Sequence, residues 1–369
     1  MKFICSKANL LNGVQTVSKA VPNKTTMSIL ECILVDTTKG NITLTANDME
    51  LGIETVIEGD ILEAGIIALD AKIFLDIVRK LPDNDITIET DGNYKTTITC
   101  EKAKFNIIGK SGDDFSYLPN IERRESINIS QFTLKEVVRQ TIFSISDNDN
   151  NKLMTGELFE INENMLKVVS LDGHRISIRN IELNNSYGHR KVVVPGKTLN
   201  EISKIISGDA DKMIEIFFAD KHIIFEFDNT VVVSRLIEGE YFRIDQMLSN
   251  DYETKVKMNK RELLECIDRA TLLIKEGDKK PIIINILDGS MELKINSTVG
   301  SMNEEIDIDK EGKDLMIGFN PKFLIDALKV IEDEEIDIYL VNSKAPCFIR
   351  DAEGKYIYLI LPVNFTTVS

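Results

Sequence analysis

The residues best able to do chemistry are few, and they form no recognisable catalytic set. The three histidines, His174, His189 and His222, match no metal-ligand spacing. Asp172-Gly173-His174-Arg175 joins an acid to a base, which leaves acid-base catalysis open as an alternative. Because no nucleophile motif accompanies it, we interpret this tetrapeptide as a turn before a strand at 176–178.

Two further motifs also point away from catalysis. Gly109-Lys110-Ser111 resembles the end of a phosphate-binding loop, but Lys104 stands where that loop needs another glycine. The cysteines are odd in number, widely spaced and without a C-x-x-C pair, which favours neither disulfides nor zinc. They are Cys5, Cys32, Cys100, Cys266 and Cys347. We therefore predict a non-enzyme without cofactor or metal.

The amino terminus and the hydropathy pattern predict a soluble protein that is not exported, and the cysteine pattern fits a reducing cytoplasm. Met1–Lys7 reaches a second lysine before any apolar run forms, and no later stretch approaches the ~20 apolar residues of a membrane span. Disorder is not expected either, since 43% hydrophobic and 28% charged residues are ordinary globular values.

A threefold internal repeat organises the elements. Lys72, Lys197 and Lys322 are 125 residues apart, and each follows an apolar strand and opens a helical pattern. A second repeated element places Ser6, Ser130 and Asn259 as N-caps of helices. The helices are predicted at 6–20, 71–80, 131–144, 197–207, 259–275 and 320–331.

The repeat predicts an α+β fold of three domains, each holding two strand-helix-strand-strand-strand units. The domain borders are predicted at 1–125, 126–253 and 254–369. Strands are expected at 85–90, 213–218 and 335–340, where apolar and polar residues alternate.

Cations are concentrated on the predicted helices. These hold 15 Lys or Arg against 7 Asp or Glu, while the whole chain carries a net charge of −16. A basic helix layer on an acidic body suits a channel for a polyanion, although lysine and arginine are also ordinary exposed helix formers. With no Trp and no interleaved aromatic residues, the pattern predicts backbone contact without base recognition.

Short segments along the whole chain resemble the bacterial DNA sliding clamp family, the beta subunit of DNA polymerase III. They are Met1-Lys2-Phe3, Ser28-Ile29-Leu30, Thr45 to Glu50, Leu171 to Arg175, Val193-Val194-Pro195, Ile317 to Pro321 and Leu359 to Val363. Each segment is weak alone, but their order is specific. A scaffold that never binds DNA and an enzyme with an unrecognised site are the competing hypotheses.

The resemblance implies a head-to-tail homodimer that closes into a six-domain ring with helices facing double-stranded DNA. It implies that an ATP-dependent clamp loader opens the ring, and that the replicative DNA polymerase and other proteins with clamp-binding motifs dock on it. The DNA-facing cations would be Lys7, Lys24, Lys72, Arg79, Lys80, Lys135, Arg139, Lys152, Lys197, Lys204, Lys260, Arg269, Lys322 and Lys329. The dimer interface would pair Lys102, Lys104, Phe105 and Ile107 with Leu272, Leu273, Glu304 and Glu305.

The resemblance also implies a peptide-binding pocket between the second and third domains. It maps to Met154, Leu171, Gly173, His174, Arg175, Ile176, Phe242, Met247, Pro346, Leu359, Leu361, Pro362 and Val363. We expect His174 and Arg175 to form a polar rim, and Pro362 to mark a sheet edge left open for a peptide. The chain departs from the family at 239–244 and at Gln246, and residues 366–369 extend past the family's usual end.

Overall fold

The computed structural model describes residues 1–148, 150–275 and 280–365. The extension 366–369 therefore lies outside the described residues. By backbone contacts the chain divides into two compact units. The first contains Met1–Leu134 and Lys197–Leu236, and the second contains Lys135–Gly196 and the chain from Ile237 onward.

The strands follow in chain order. They are β1 (Lys2–Ser6), β2 (Cys32–Asp36), β3 (Ile42–Asn47), β4 (Leu51–Ile57), β5 (Asp60–Glu63), β6 (Ile66–Asp70), β7 (Asp85–Thr90), β8 (Lys95–Cys100), β9 (Ala103–Ile108), β10 (Ser126–Ser130), β11 (Gly156–Leu171), β12 (Arg175–Pro195), β13 (Met213–Phe218), β14 (His222–Phe227), β15 (Thr230–Arg235), β16 (Thr254–Asn259), β17 (Ile282–Ile286), β18 (Ser290–Asn296), β19 (Ser301–Asp307), β20 (Asp309–Gly312), β21 (Leu315–Phe319), β22 (Glu335–Leu340), β23 (Cys347–Arg350) and β24 (Tyr356–Ile360). The α-helices are α1 (Lys7–Val17), α2 (Ala71–Lys80), α3 (Gln131–Thr141), α4 (Gly196–Ile205), α5 (Lys260–Thr271) and α6 (Pro321–Val330).

The first unit holds two sheets and the second unit holds two more. The order is β5-β1-β7-β8-β9 and β10-β13-β14-β15-β4-β3-β2-β6 in the first unit. It is β11-β12-β24-β23-β22-β16-β20 and β19-β18-β17-β21 in the second. Helix α1 packs on α2 in the first unit, and α5 packs on α6 in the second.

All six predicted helices are present and begin within one residue of the predicted positions. The caps explain the starts, because the side chain of Ser6 accepts from Asn9 N at 3.2 Å and that of Asn259 from Glu262 N at 3.1 Å. Lys72, Lys197 and Lys322 are each the second residue of their helix, as the repeat predicts.

The predicted strand order is confirmed, with two differences. Short strands β5 and β20 are additional in the first and third repeats. In the middle repeat the two long strands β11 and β12 replace several shorter ones, and they stay paired across an irregularity at Glu163, whose φ is +53°.

Sheet pairing crosses the predicted domain borders. Within the first unit, β4 pairs with β15, so that Leu51 lies opposite Ser234. Within the second unit, β12 pairs with β24, so that Arg175 lies opposite Ile360. Strand β9 is one edge of its sheet in the first unit, and β19 is one edge of its sheet in the second. None of the helices in the described residues is long and apolar enough to cross a membrane.

Candidate functional site

The predicted turn at Asp172 is confirmed, and the Asp172 carboxylate is engaged in holding it. Asp172 Oδ1 accepts from the backbone N–H of His174 at 2.9 Å and of Arg175 at 3.1 Å. Gly173 takes the left-handed conformation, with a φ of +87°, that such a turn requires. Asp172 Oδ2 binds Arg175 Nε at 3.0 Å, so the carboxylate holds the turn and the arginine.

Arg175 is buried, which corrects its predicted place on a polar rim. Its side chain is 7% exposed, and Nη1 donates to Asp326 Oδ2 at 2.7 Å. A further bond goes to the Phe143 carbonyl oxygen, and the guanidinium lies 4.5 Å from the centre of the Phe323 ring. The Arg175 side chain therefore stabilises the turn from beneath the protein surface.

Sequence reasoning missed the α6 contribution to this site. The Phe323 ring also stacks on His174, with centroids 6.1 Å apart. Phe323 and Asp326 are three residues apart on α6, and hence on one helix face. The sequence could have shown that Phe323 and Asp326 share a helix face. It could not have identified their partner Arg175, which lies 151 residues away from Asp326.

The other predicted pocket residues form an apolar surface in the second unit, and they range from buried to exposed. Leu171, Ile176 and Leu359 are buried in one hydrophobic cluster, with Ile176 opposite Leu359 in the sheet. Met154, Phe242, Pro346, Pro362 and Val363 are partly buried. Gly173, His174, Met247 and Leu361 are exposed, with Met247 at 49% and Leu361 at 36%. The exposed and half-buried members are those that a ligand can touch.

The expectation that the terminal strand is an open sheet edge is wrong. Strand β24 lies between β12 and β23. Beyond it, Leu361 N donates to the His174 carbonyl oxygen and Val363 N to that of Gly318, each at 2.8 Å. Pro362 interrupts this bonding because it has no N–H. At β24 this sheet therefore has no open edge that a peptide strand could extend.

All but one of the predicted DNA-facing cations fall into two groups. The first group is engaged within the fold: Arg79 pairs with Asp76, Arg139 with Glu136 and Glu332, Lys197 with Asp48, Lys204 with Glu201 and Arg269 with Glu304, while Lys7 and Lys260 donate to backbone carbonyls. The second group is exposed and makes no ion pair with any described residue: Lys24, Lys72, Lys80, Lys152, Lys322 and Lys329. Lys135 is half-buried and has a partner of its own.

The predicted interface residues lie on the edge strands β9 and β19 and beside them. Lys102, Lys104, Phe105 and Ile107 lie on or directly before β9, and Glu304 and Glu305 lie on β19. Leu272 is 81% exposed just after α5, whereas Leu273 packs on the core. Ile108, which was not among the predicted residues, is 74% exposed. Exposed apolar side chains along an open strand indicate an interaction edge.

The remaining motifs serve the fold. Lys110 Nζ donates to the Ser28 carbonyl oxygen at 2.6 Å, and Ser111 caps a short turn by accepting from Asp113 N at 3.2 Å. All five cysteines are buried and form no disulfide bond, and burial raises the pKa of the Cys347 thiol to about 12. Among the residues the structure describes, no group of His, Cys, Asp or Glu could hold a metal ion.

The threefold repeat and the sheets that continue from repeat to repeat define a clamp-type protein. Models of the DNA polymerase III beta subunit match it throughout: the N-terminal domain at residues 1–119, the central domain at 128–242 and the C-terminal domain at 245–364. The beta sliding clamps of Staphylococcus epidermidis and Staphylococcus aureus are 32% and 33% identical over 99% of both chains.

Solved structures agree with the sequence relatives. A putative DNA polymerase III beta subunit from Eubacterium rectale is 75% identical, with a TM-score of 0.97 over 99% of this chain and 100% of that one. The sliding clamp of Bacillus subtilis is 34% identical, with a TM-score of 0.95 over the same shares. The chain belongs to the DNA polymerase III beta subunit family of sliding clamps. It is a DNA polymerase processivity factor and not an enzyme.

Proposed function

We propose that two copies of this chain close head to tail into a ring around duplex DNA. The three repeats would be domains 1–125, 126–253 and 254–369, giving six domains per ring. An ATP-dependent loader would open the ring, which would then tether the replicative polymerase and other motif-bearing proteins in the cytoplasm. The observation that carries this proposal is that β4 pairs with β15 and β12 pairs with β24, whereas the third such pair, β19 and β9, consists of two edge strands.

Repeat equivalence identifies which strands should pair between copies. The caps Ser6, Ser130 and Asn259 align the three repeats, so that β9, β15 and β24 are equivalent strands. The turns before β4, β12 and β19 align those strands in the same way. Since β4 pairs with β15 and β12 with β24, the remaining edge β19 should pair with β9 of a second copy.

The equivalence also fixes a register for that contact. The observed pair of Leu51 on β4 and Ser234 on β15 is equivalent to a pair of Gly300 on β19 and Ile107 on β9 of the second copy. In this register Asn303 lies opposite Lys104. Glu304 and Glu305 then lie beside the Lys102–Lys104 edge, so unlike charges meet. A contact between two different surfaces of identical chains forms a closed ring only if the rotation between neighbouring chains returns to the first chain. In the proposed ring it returns after two chains.

The charge distribution supports contact with the DNA backbone. Lys72, Lys80, Lys322 and Lys329 are exposed cations on two helices of the repeat, within a chain of net charge −16. Lysines spread over helix faces neutralise phosphates without selecting a base sequence. An acidic remainder disfavours nonspecific contact elsewhere. This combination suits sliding.

The apolar surface of the second unit is the proposed docking pocket for polymerase and loader peptides. A peptide carrying a glutamine and a leucine-aromatic pair would place its apolar groups against Met154, Met247 and Leu361. His174 offers a polar contact at the exposed turn, while Arg175 fixes that turn from below. Grooves of this kind derive most of their affinity from a few central apolar anchors.

The test is retention on DNA circles. With a clamp loader and ATP, the protein should remain on a closed circle at moderate salt and leave after the circle is cut. Leu272→Asp should abolish retention, because it places a charge in the proposed apolar contact next to acidic residues. Leu62→Asp is the matched control, since Leu62 is 59% exposed and lies outside the proposed interface. Equal retention on circular and linear DNA would contradict the proposal.

A further inference from the structure

The Asp172 turn lies at the proposed docking pocket of the second unit, which we name the C-terminal pocket. The same turn occurs a second time, in the first unit. Asp48 Oδ1 accepts from Glu50 N at 3.0 Å and from Leu51 N at 2.7 Å, the same pair of bonds that Asp172 accepts. Met49 takes the left-handed place of the glycine, with a φ of +75°. A non-glycine residue held there is uncommon, and such conformations concentrate at binding sites.

The sheet beside this turn is also arranged as in the C-terminal pocket. Gly52 lies opposite Val233, as Ile176 lies opposite Leu359. The chain that leaves the partner strand bonds the turn in both places at 2.8 Å, by Arg235 N to the Glu50 carbonyl oxygen and by Leu361 N to the His174 carbonyl oxygen. The two sites therefore share the same turn, the same strand pairing and the same backbone bond to the turn.

A cavity of about 230 Å³ opens at the copy in the first unit. Met49 is 61% exposed and Tyr117 is 51% exposed at its mouth, and Leu118 and His222 line it. This volume lies below the ~300–1,000 Å³ of most small-molecule sites, so it suits one or two side chains of a peptide. We name this cavity the first-unit groove.

The first-unit groove differs from the C-terminal pocket at its floor and in its charge. A Cβ at Gly52 would overlap Leu118, so the glycine lets Leu118 cover the strand where Ile176 stands in the other site. Glu50, an exposed residue, is the charged side chain of its lining. Asp48 is already paired with Lys197. The groove thus offers an apolar slot beside a carboxylate that accepts hydrogen bonds.

We infer that the first-unit groove is a second, weaker peptide site of each chain. Its occupant is a short extended segment with a leucine-aromatic pair and a neighbouring side chain that donates to Glu50, such as glutamine. The inference rests on the peptide role proposed for the C-terminal pocket, because the shared plan implies a shared class of ligand. The affinity is lower, since Leu118 already fills part of the slot.

Methionine methyl signals report both sites in one sample of the full-length protein. Met49 lies at the first-unit groove, and Met154 and Met247 lie at the C-terminal pocket; each signal is assigned by a Met→Leu variant. The probe is the synthetic peptide acetyl-Gln-Leu-Phe-amide. Met154 and Met247 should shift first, and Met49 should shift at a concentration about tenfold higher.

Tyr117→Ser should weaken the Met49 response by about tenfold or more, because it removes an aromatic wall. It should leave the Met154 response unchanged. Tyr94→Ser is the matched control, since Tyr94 is 43% exposed in the same unit and does not line the groove.

The outcomes separate the two hypotheses. A Met49 signal that stays fixed while Met154 saturates overturns the second site and leaves the C-terminal pocket standing. A Met49 shift that Tyr117→Ser does not weaken also overturns the second site. Fixed Met154 and Met247 signals overturn the proposed C-terminal pocket itself, whatever Met49 does.

Discussion

Glu157 is a carboxyl group wholly enclosed at the start of β11. Both of its oxygens lack a hydrogen-bond partner among the described residues, and the nearby Thr141 hydroxyl donates instead to the Val137 carbonyl oxygen. Burial raises the pKa of Glu157 to about 8. The group therefore stays protonated at neutral pH in the folded protein, because a buried unpaired carboxylate is costly.

This burial predicts a pH-dependent stability. The unfolded pKa of a glutamate is about 4.3, so the unfolded state is favoured progressively as the pH rises from about 4.3 towards 8. The free energy of unfolding should fall over that window by an amount on the order of 4 kcal/mol, and Glu157→Gln should remove most of this fall. Urea titrations at pH 5, 6.5 and 8 measure it.

The matched control for this prediction is Glu160→Gln. Glu160 lies on the same strand, partly exposed and near Lys191. It should retain the wild-type slope of stability against pH. Parallel slopes for wild type and Glu157→Gln would show that the buried carboxyl does not cause the dependence.

At the scale of elements, the repeated helices present cations in a regular way. In α2 the residues Ala71, Phe74, Ile77 and Val78 are buried, which leaves Lys72 on the outer face. Lys322 has the same place in α6, with Pro321 and Leu324 buried beside it. Lys197 differs, because it is paired with Asp48. The exposed pair Lys72 and Lys322 is therefore the better test of DNA contact.

The double variant Lys72→Glu, Lys322→Glu should weaken loading on DNA and reduce its dependence on salt. Removing one lysine–phosphate interaction lowers the slope of log affinity against log salt by about 0.9. The control is Lys39→Glu, Lys344→Glu, which makes the same change in net charge at two exposed loop lysines. Loading assays across a salt series decide it, and an equal effect of both variants would refute binding of DNA by these helices.

At the scale of the whole molecule, the proposed register predicts a specific cross-link. Lys104→Cys and Asn303→Cys in one chain should form disulfides between copies under mild oxidation, because directly opposed residues on antiparallel strands lie within disulfide reach. The native cysteines are all buried and should not react. Non-reducing electrophoresis would show a covalent dimer.

The control for the cross-link shifts one partner along β19. Lys104→Cys combined with Ser301→Cys places the two thiols two residues out of register, at a separation that a disulfide does not span. This pair should link far more slowly. Equal rates for the two pairs would refute the register, and absence of any dimer would refute the β9–β19 contact.

The sequence by itself determined the repeat, the helices and the family. Helix starts depend on the nearest residues, as the caps at Ser6 and Asn259 show, and strand alternation is local in the same way. The turn at Asp172 was also readable, because its bonds reach only two and three residues along the chain.

Only the tertiary structure decided which of the named side chains are exposed and can contact a ligand or another chain. Arg175 became a buried support because Asp326 and Phe323 of a distant helix enclose it, and local pattern carries no record of that contact. Leu272 and Leu273 are identical in sequence terms, yet the first is exposed and the second packs on the core. The terminal strand became internal because β23 and β12 flank it. Burial depends on contacts between distant parts of the chain, and these are set only when the sheets assemble.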